Sequence, residues 1–227
     1  MNAGESWLSR HLRGHFLLFD RRPAPTFGAD VAVRLLLTAI LLEGVRLAAV
    51  RWLYPAAPRL LLLVALLALG LIAVPKIAGI RLSALGFRPW REWTTTEKSY
   101  FLQVAVMANV IFPVVLGGSV RWTVFVPYLF FGFYQELVYR GMVQRGLTNR
   151  WGTAMAILVA NVLYTFGPLH WYYFASAPSV AWPMFAAIFA IGLFFGILYA
   201  RSGNLWIVAV FHAIGNAYIV SVVGSVR

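Results

Sequence analysis

The chain contains no cysteine, which excludes disulfides, thiolate metal sites, a cysteine nucleophile and S-palmitoylation. It is also short of charge: 11% of its residues are charged, against ~25% in an average soluble domain, and only 7 are acidic. With 61% hydrophobic residues and so few charges, the composition excludes a soluble domain and requires lipid as the solvent. Period-two alternation is lacking as well. The apolar runs are continuous, as from Leu60 to Val74, which excludes barrel strands and predicts helices. The fold class expected is all-α, a polytopic membrane helix bundle of about seven transmembrane helices, and no soluble domain, repeat or low-complexity tract interrupts it.

Apolar runs place spans near 31–53, 60–79, 99–117, 122–143, 152–171, 181–200 and 204–224. The net charge of +12 sits in short segments between these runs rather than in one block, so lipid head groups are the expected partner and nucleic acid is not. Loops after an even number of crossings carry Lys76, Arg81, Arg88, Arg91, Lys98, Arg145, Arg150 and Arg201, whereas the opposite side has chiefly Arg59 and Arg121. By the positive-inside rule the N-terminus is cytoplasmic and the C-terminus exported.

Residues 1–30 are polar and basic with no long apolar stretch. They read as a cytoplasmic or interfacial segment rather than a signal peptide, with Trp7, Leu8, Leu12, Phe16, Leu17 and Phe19 able to lie on the membrane surface. Residues 31–79 form a pair of N-terminal transmembrane helices, and residues 80–227 form the remaining core. Glu43 and Arg46 in the first span are spaced to neutralise each other within one helix. The longest polar connection, Arg81 to Lys98, is expected on the cytoplasmic face.

An ionisable group at bilayer depth costs at least ~2.5–3.5 kcal/mol, so each one calls for a reason. The fourth span holds Gln135, Glu136 and Arg140, the last two at i, i+4 on one face; the fifth ends at His170; the seventh holds His212 and Asn216, also i, i+4. Each has a plain structural reading: an intrahelical ion pair for Glu136 and Arg140, an interfacial histidine for His170, an interhelical hydrogen-bond pair for His212 and Asn216. Together, a carboxylate, two imidazoles and an amide are the parts needed to activate water and stabilise an oxyanion away from bulk solvent.

Over about residues 80–224 the sequence resembles the CPBP intramembrane proteases, the family of CAAX prenyl endopeptidases and bacterial Abi proteins. Its pattern EExxxR, FxxxH and HxxxN is matched by Gln135-Glu136 to Arg140, Phe166 to His170 and His212 to Asn216, and the segment GLFFGILYARSGNLW is similar to the lead-in of the last motif. The resemblance implies a metal-free, cofactor-free glutamic endopeptidase acting on a membrane-anchored protein or peptide, near its C-terminus or in a membrane-proximal segment. One glutamate of the pair and His170 would activate water, His212 and Asn216 would bind the oxyanion, Arg140 would charge-balance the glutamate, Phe166 would pack, and Gly167 with Pro168 would aim His170.

The first glutamate of that pattern is Gln135 here, and an amide cannot take a proton from water near neutral pH. Three readings stay open: a glutamine introduced in place of a native glutamate, a subgroup that uses Glu136 alone, or a relative that binds without cutting. Glu136 lies ~100° around the helix from position 135, so it replaces the base only if the helix is rotated. A zinc ion held by Glu136, His170 and His212 is the competing chemistry, although no HExxH is present. Beside the protease stand a non-catalytic membrane binding protein, for bacteriocin immunity or scaffolding, and a transporter, against which the lack of an inverted repeat weighs. The richness in Arg, Ala, Gly and Trp points to a GC-rich bacterium, hence an integral protein of a bacterial inner membrane.

Overall fold

The computed structural model describes residues 27–53, 58–116, 119–170 and 178–223. All but the last few residues of the basic N-terminal segment, Trp7 to Phe19 included, lie outside the described residues. The elements are α1 (Ala29–Trp52), α2 (Arg59–Ala73, continued by a π turn Val74–Ala78), α3 (Thr95–Leu116), α4 (Trp122–Glu136), a π-helical segment (Leu137–Gln144), α5 (Arg145–Phe166), α6 (Pro178–Ser202) and α7 (Leu205–Val223). Among the described residues there is no strand, and the chain is an all-α membrane helix bundle.

Among the described residues, four helical stretches are long and apolar enough to cross a membrane: Arg59–Ala78, Thr95–Val115, Trp182–Ser202 and Leu205–Val222. Each of the seven expected spans overlaps a helix, with the fourth and fifth separated differently from expectation. The fourth does not stop near 143; it runs through the π segment into α5 and is broken at Gly152, whose φ of +74° favours glycine. The third span begins at Thr95 rather than 99. Thr94 and Glu97 form a capping box, the Glu97 carboxylate accepting from the Thr94 N–H at 2.7 Å and the Glu97 N–H donating to Thr94 Oγ1 at 3.1 Å.

The polar connection from Arg81 to Lys98 is not a free surface loop. It folds into two short 3-10 turns, Leu82–Leu85 and Trp90–Glu92, and is fastened to the α6–α7 turn by Leu205 N–H donating to Gly86 O at 3.0 Å. Gly86 has a φ of +97°, and a Cβ there would stand 2.7 Å from Gly203 O.

The packing of α4 on α7 positions the site. The two run antiparallel: Arg121 Nε donates to Ser221 O at 3.4 Å, and Phe125 meets the edge of Tyr218 at 4.9 Å. Gly132 lets the backbones close up, since a Cβ there would lie 2.5 Å from Ala213 Cα. One turn further along α4, Gln135 and Glu136 come against His212 and Asn216.

On α1, Arg46 and Glu43 pair as the spacing predicts, at 2.8 Å, but the carboxylate is not only self-neutralised. It also accepts from the hydroxyls of Tyr134 at 3.1 Å and Tyr139 at 3.2 Å, which ties α1 to α4 and its π extension.

Candidate active site

Gln135 and Glu136 close α4 where it passes into the π segment that carries Arg140; His170 stands on the turn after α5; His212 and Asn216 share a face of α7. A π turn is wider than an α turn and is frequent at functional sites. The structure brings the sequence-expected residues together, in two groups with different surroundings.

The buried group centres on Glu136, which is fully enclosed. Its Oε1 is 2.6 Å from His212 Nδ1 and its Oε2 is 3.5 Å from Arg140 Nε. Arg140 is held from its other side, donating through Nη2 to Gly192 O at 2.8 Å, with Gln144 one turn on donating to Gly196 O at 2.9 Å. The two glycines of α6 make room for this, and a Cβ on Gly192 would collide with Asn161 Oδ1. Phe195 of α6 stacks on the His212 ring at 5.1 Å.

An ionised carboxylate only accepts, so the proton of a neutral His212 sits on Nδ1 and its Nε2 is the acceptor. Two donors surround that nitrogen, Asn216 Nδ2 at 3.0 Å and the Tyr164 hydroxyl at 3.1 Å.

The second group faces open space. Gln135, His170 and Asn216 line one cavity of about 530 Å³, together with residues of α1, α2 and the far end of α7. Asn216 Nδ2 donates to Gln135 Oε1 at 2.8 Å. His170 Nδ1 is 2.9 Å from the Tyr164 carbonyl. A carbonyl only accepts, so Nδ1 carries the proton and Nε2 keeps its lone pair.

The α4 residues on the wall, Tyr128, Phe131 and Gln135, fall at i, i+3 and i+7, a single helical face; Glu136 is rotated off it toward His212. The rotation that would let Glu136 stand in for position 135 is therefore absent. The zinc arrangement is not assembled either: His212 is spent on Glu136, Tyr164 and Asn216, His170 turns to the Tyr164 carbonyl, and among the described residues no group of three ligating side chains converges.

Tyr164 is the residue that motif reading missed. Its hydroxyl meets His212, its carbonyl meets His170, its ring stands edge-on to that of His170 with centroids 5.1 Å apart, and the Arg140 guanidinium sits 4.6 Å over its face. Its signal in the sequence was faint, a tyrosine six residues before His170 in an apolar helix. Phe166 packs, as expected, in a stack on Phe185 of α6 at 5.4 Å.

The structure thus has a membrane helix bundle with an imidazole and two amides on one cavity. Residues 117–218 match the family described as Type II CAAX prenyl endopeptidase Rce1-like, which supports the resemblance of this segment to the CAAX protease (CPBP) family. The activity that family implies in general is proteolysis, in a bilayer and on a membrane-associated substrate. No curated protein and no solved structure matches the chain.

Proposed function

We propose that the cavity hydrolyses a peptide bond in a membrane-anchored polypeptide. The observation that carries this reading is the meeting of Gln135, His170 and Asn216, one from each of the three motifs, on a single cavity wall. His170 Nε2 takes a proton from a water molecule as its oxygen attacks the scissile carbonyl carbon, then passes that proton to the departing amine. The Gln135 amide supplies a donor for the oxyanion through Nε2, its Oε1 being held by Asn216. Glu136, Arg140 and His212 act behind them: the buried carboxylate fixes the tautomer of His212, and His212 in turn orients Asn216.

In this reading the carboxylate that the family's pattern puts at position 135 is missing from the cavity, and Glu136 does not replace it. Gln135→Glu introduces one 2.8 Å from an amide donor. On a membrane-anchored peptide library with cleavage sites located by mass spectrometry, Gln135→Glu should cut on the order of 10²–10⁴ times faster than the unchanged chain, the usual worth of general acid–base catalysis. Adding His170→Ala should abolish that gain.

One observation favours a second reading, a membrane protein that binds such segments without cutting: among the described residues no acidic side chain lines the cavity. Silence from both forms on every peptide, with retained binding, would select it. The cavity is walled by the end of α1, the start of α2, the end of α7 and the turn after α5, so it opens at one end of the bundle. On the reading of the basic loops as cytoplasmic, that end is the exported one.

A further inference from the structure

Behind the cavity, three buried side chains are fastened to the backbone of α6. Asn161 Nδ2 donates to Phe189 O at 2.9 Å, Arg140 Nη2 to Gly192 O at 2.8 Å and Gln144 Nε2 to Gly196 O at 2.9 Å. A carbonyl only accepts, so both amides are held nitrogen-first and neither can turn its oxygen to that bond. Those oxygens, Asn161 Oδ1 and Gln144 Oε1, are buried without a hydrogen-bond partner among the described residues. So are Arg140 Nη1, Thr165 Oγ1 and Glu136 Oε2, the last of which has only its 3.5 Å ion-pair contact with Arg140 Nε. All of these residues are 2% exposed or less.

The register of the helices stacks these atoms along one seam. A Cβ on Gly196 would meet Ile157 Cγ2 at 2.8 Å and Gln144 Oε1 at 3.2 Å, and a Cβ on Gly192 would meet Asn161 Oδ1 and, at 3.1 Å, Arg140 Nη2. Gln144 and Ile157 thus share one level and Arg140 and Asn161 the next; one turn further in each helix come Glu136 and Thr165. Gln144, Asn161 and Thr165 belong to none of the three motifs.

The donor and acceptor types define the ligand. Glu136 Oε2, Asn161 Oδ1 and Gln144 Oε1 accept, Arg140 Nη1 donates, and Thr165 Oγ1 does either. A cation is disfavoured beside the Arg140 guanidinium, and an anion beside three acceptors that include a carboxylate. Water donates twice and accepts twice, which complements the set. Left dry, these atoms would offset much of a protein's net stability, because an unmet buried polar group costs more than a hydrogen bond contributes. A separation of 3.5 Å between charged groups is also one that a bridging water closes.

We propose that ordered water molecules occupy the seam between the π segment, α5 and α6, bonded to Glu136 Oε2, Arg140 Nη1, Asn161 Oδ1, Gln144 Oε1 and Thr165 Oγ1. They solvate the pair of Glu136 and Arg140 away from His212 and keep the carboxylate ionised inside the bundle, the state in which it sets the His212 tautomer. None of the five residues lines the cavity, so this water is separate from the water that the cavity admits. The proposal does not depend on peptide hydrolysis.

The full chain, crystallised from a lipid mesophase to a resolution that shows water, should carry density about 2.7–3.2 Å from Asn161 Oδ1 and Thr165 Oγ1. Crystals soaked in rubidium bromide should give no anomalous signal there. Thr165→Val keeps the shape of the side chain without its hydroxyl and supplies the second measurement. A hydroxyl that holds water contributes to stability, so the variant should melt about 2–4 °C lower than the unchanged chain in one detergent. A dry hydroxyl is an unmet polar group, whose removal leaves the melt unchanged or raises it. Both results are required. Absence of density at the seam, an anomalous peak of either ion, or a Thr165→Val melt at or above that of the unchanged chain overturns the proposal. Neither measurement involves cleavage, so a failure of the hydrolysis reading leaves the outcome of this test untouched.

Discussion

At the residue scale the decisive fact is the different fate of two neighbours. Gln135 and Glu136 are adjacent, yet one faces the cavity and the other is enclosed between His212 and Arg140. The enclosed ions should behave as an obligate set. Removing one partner of a buried pair leaves an uncompensated charge, so Arg140→Met should lower stability by about 3–5 kcal/mol. Tyr164→Phe takes one hydroxyl from His212 Nε2, which keeps Asn216 at 3.0 Å, and should cost only about 0.5–1.5 kcal/mol. Unfolding both variants in mixed micelles against the unchanged chain gives the comparison, and a Tyr164→Phe loss as large as that of Arg140→Met would mean the tyrosine, not the ion pair, holds the centre. The sequence displays all six candidate residues through their spacing in apolar helices. It does not display which of 135 and 136 turns inward, because helix rotation is set by packing against α7. Nor does it single out Tyr164, whose part is played as much by its carbonyl as by its side chain.

At the element scale, the site depends on how closely α4 and α7 approach. Gly132 makes that approach possible, and a methyl group there has Ala213 backbone 2.5 Å away with no flexible atom to yield. Gly132→Ala should therefore destabilise by about 1–3 kcal/mol through overpacking. It should also part Asn216 from Gln135, lowering whatever cleavage Gln135→Glu provides. Gly44 in α1 is the control, since a Cβ there meets nothing within 4 Å; Gly44→Ala should be stabilising by about 0.5–1 kcal/mol through helix propensity alone. Thermal melts of the two variants in one detergent check both, and a neutral Gly132→Ala would show that the helices can shift. Helix number and order were readable from apolar runs because lipid demands them. Two features were not: the continuation of the fourth helix to Gly152, since its polar stretch from Gln144 to Arg150 looks like a loop, and the anchoring of the α2–α3 connection on Gly86, which is a tertiary contact.

At the scale of the whole molecule, the apolar residues that reach the surface or the cavity are of two kinds, those that meet lipid and those that meet water. Ile40 is 69% exposed and Val106 61%, both at mid-helix on outward faces, where the composition calls for lipid. Val50 and Val220 line the cavity, where the chemistry calls for water. Because the chain has no cysteine, each can be replaced singly by cysteine without background. In sealed membranes, Val50→Cys and Val220→Cys should react with a charged, membrane-impermeant thiol reagent, whereas Ile40→Cys and Val106→Cys should not, despite their greater exposure. Labelling of Ile40→Cys as fast as Val50→Cys would place that face of α1 in water and break the bundle reading. The side of reaction carries the topology: with basic loops on the cytoplasmic side, the cavity positions should react from the exported face only, and reaction from the opposite face would invert the orientation while leaving the cavity and its chemistry as they stand.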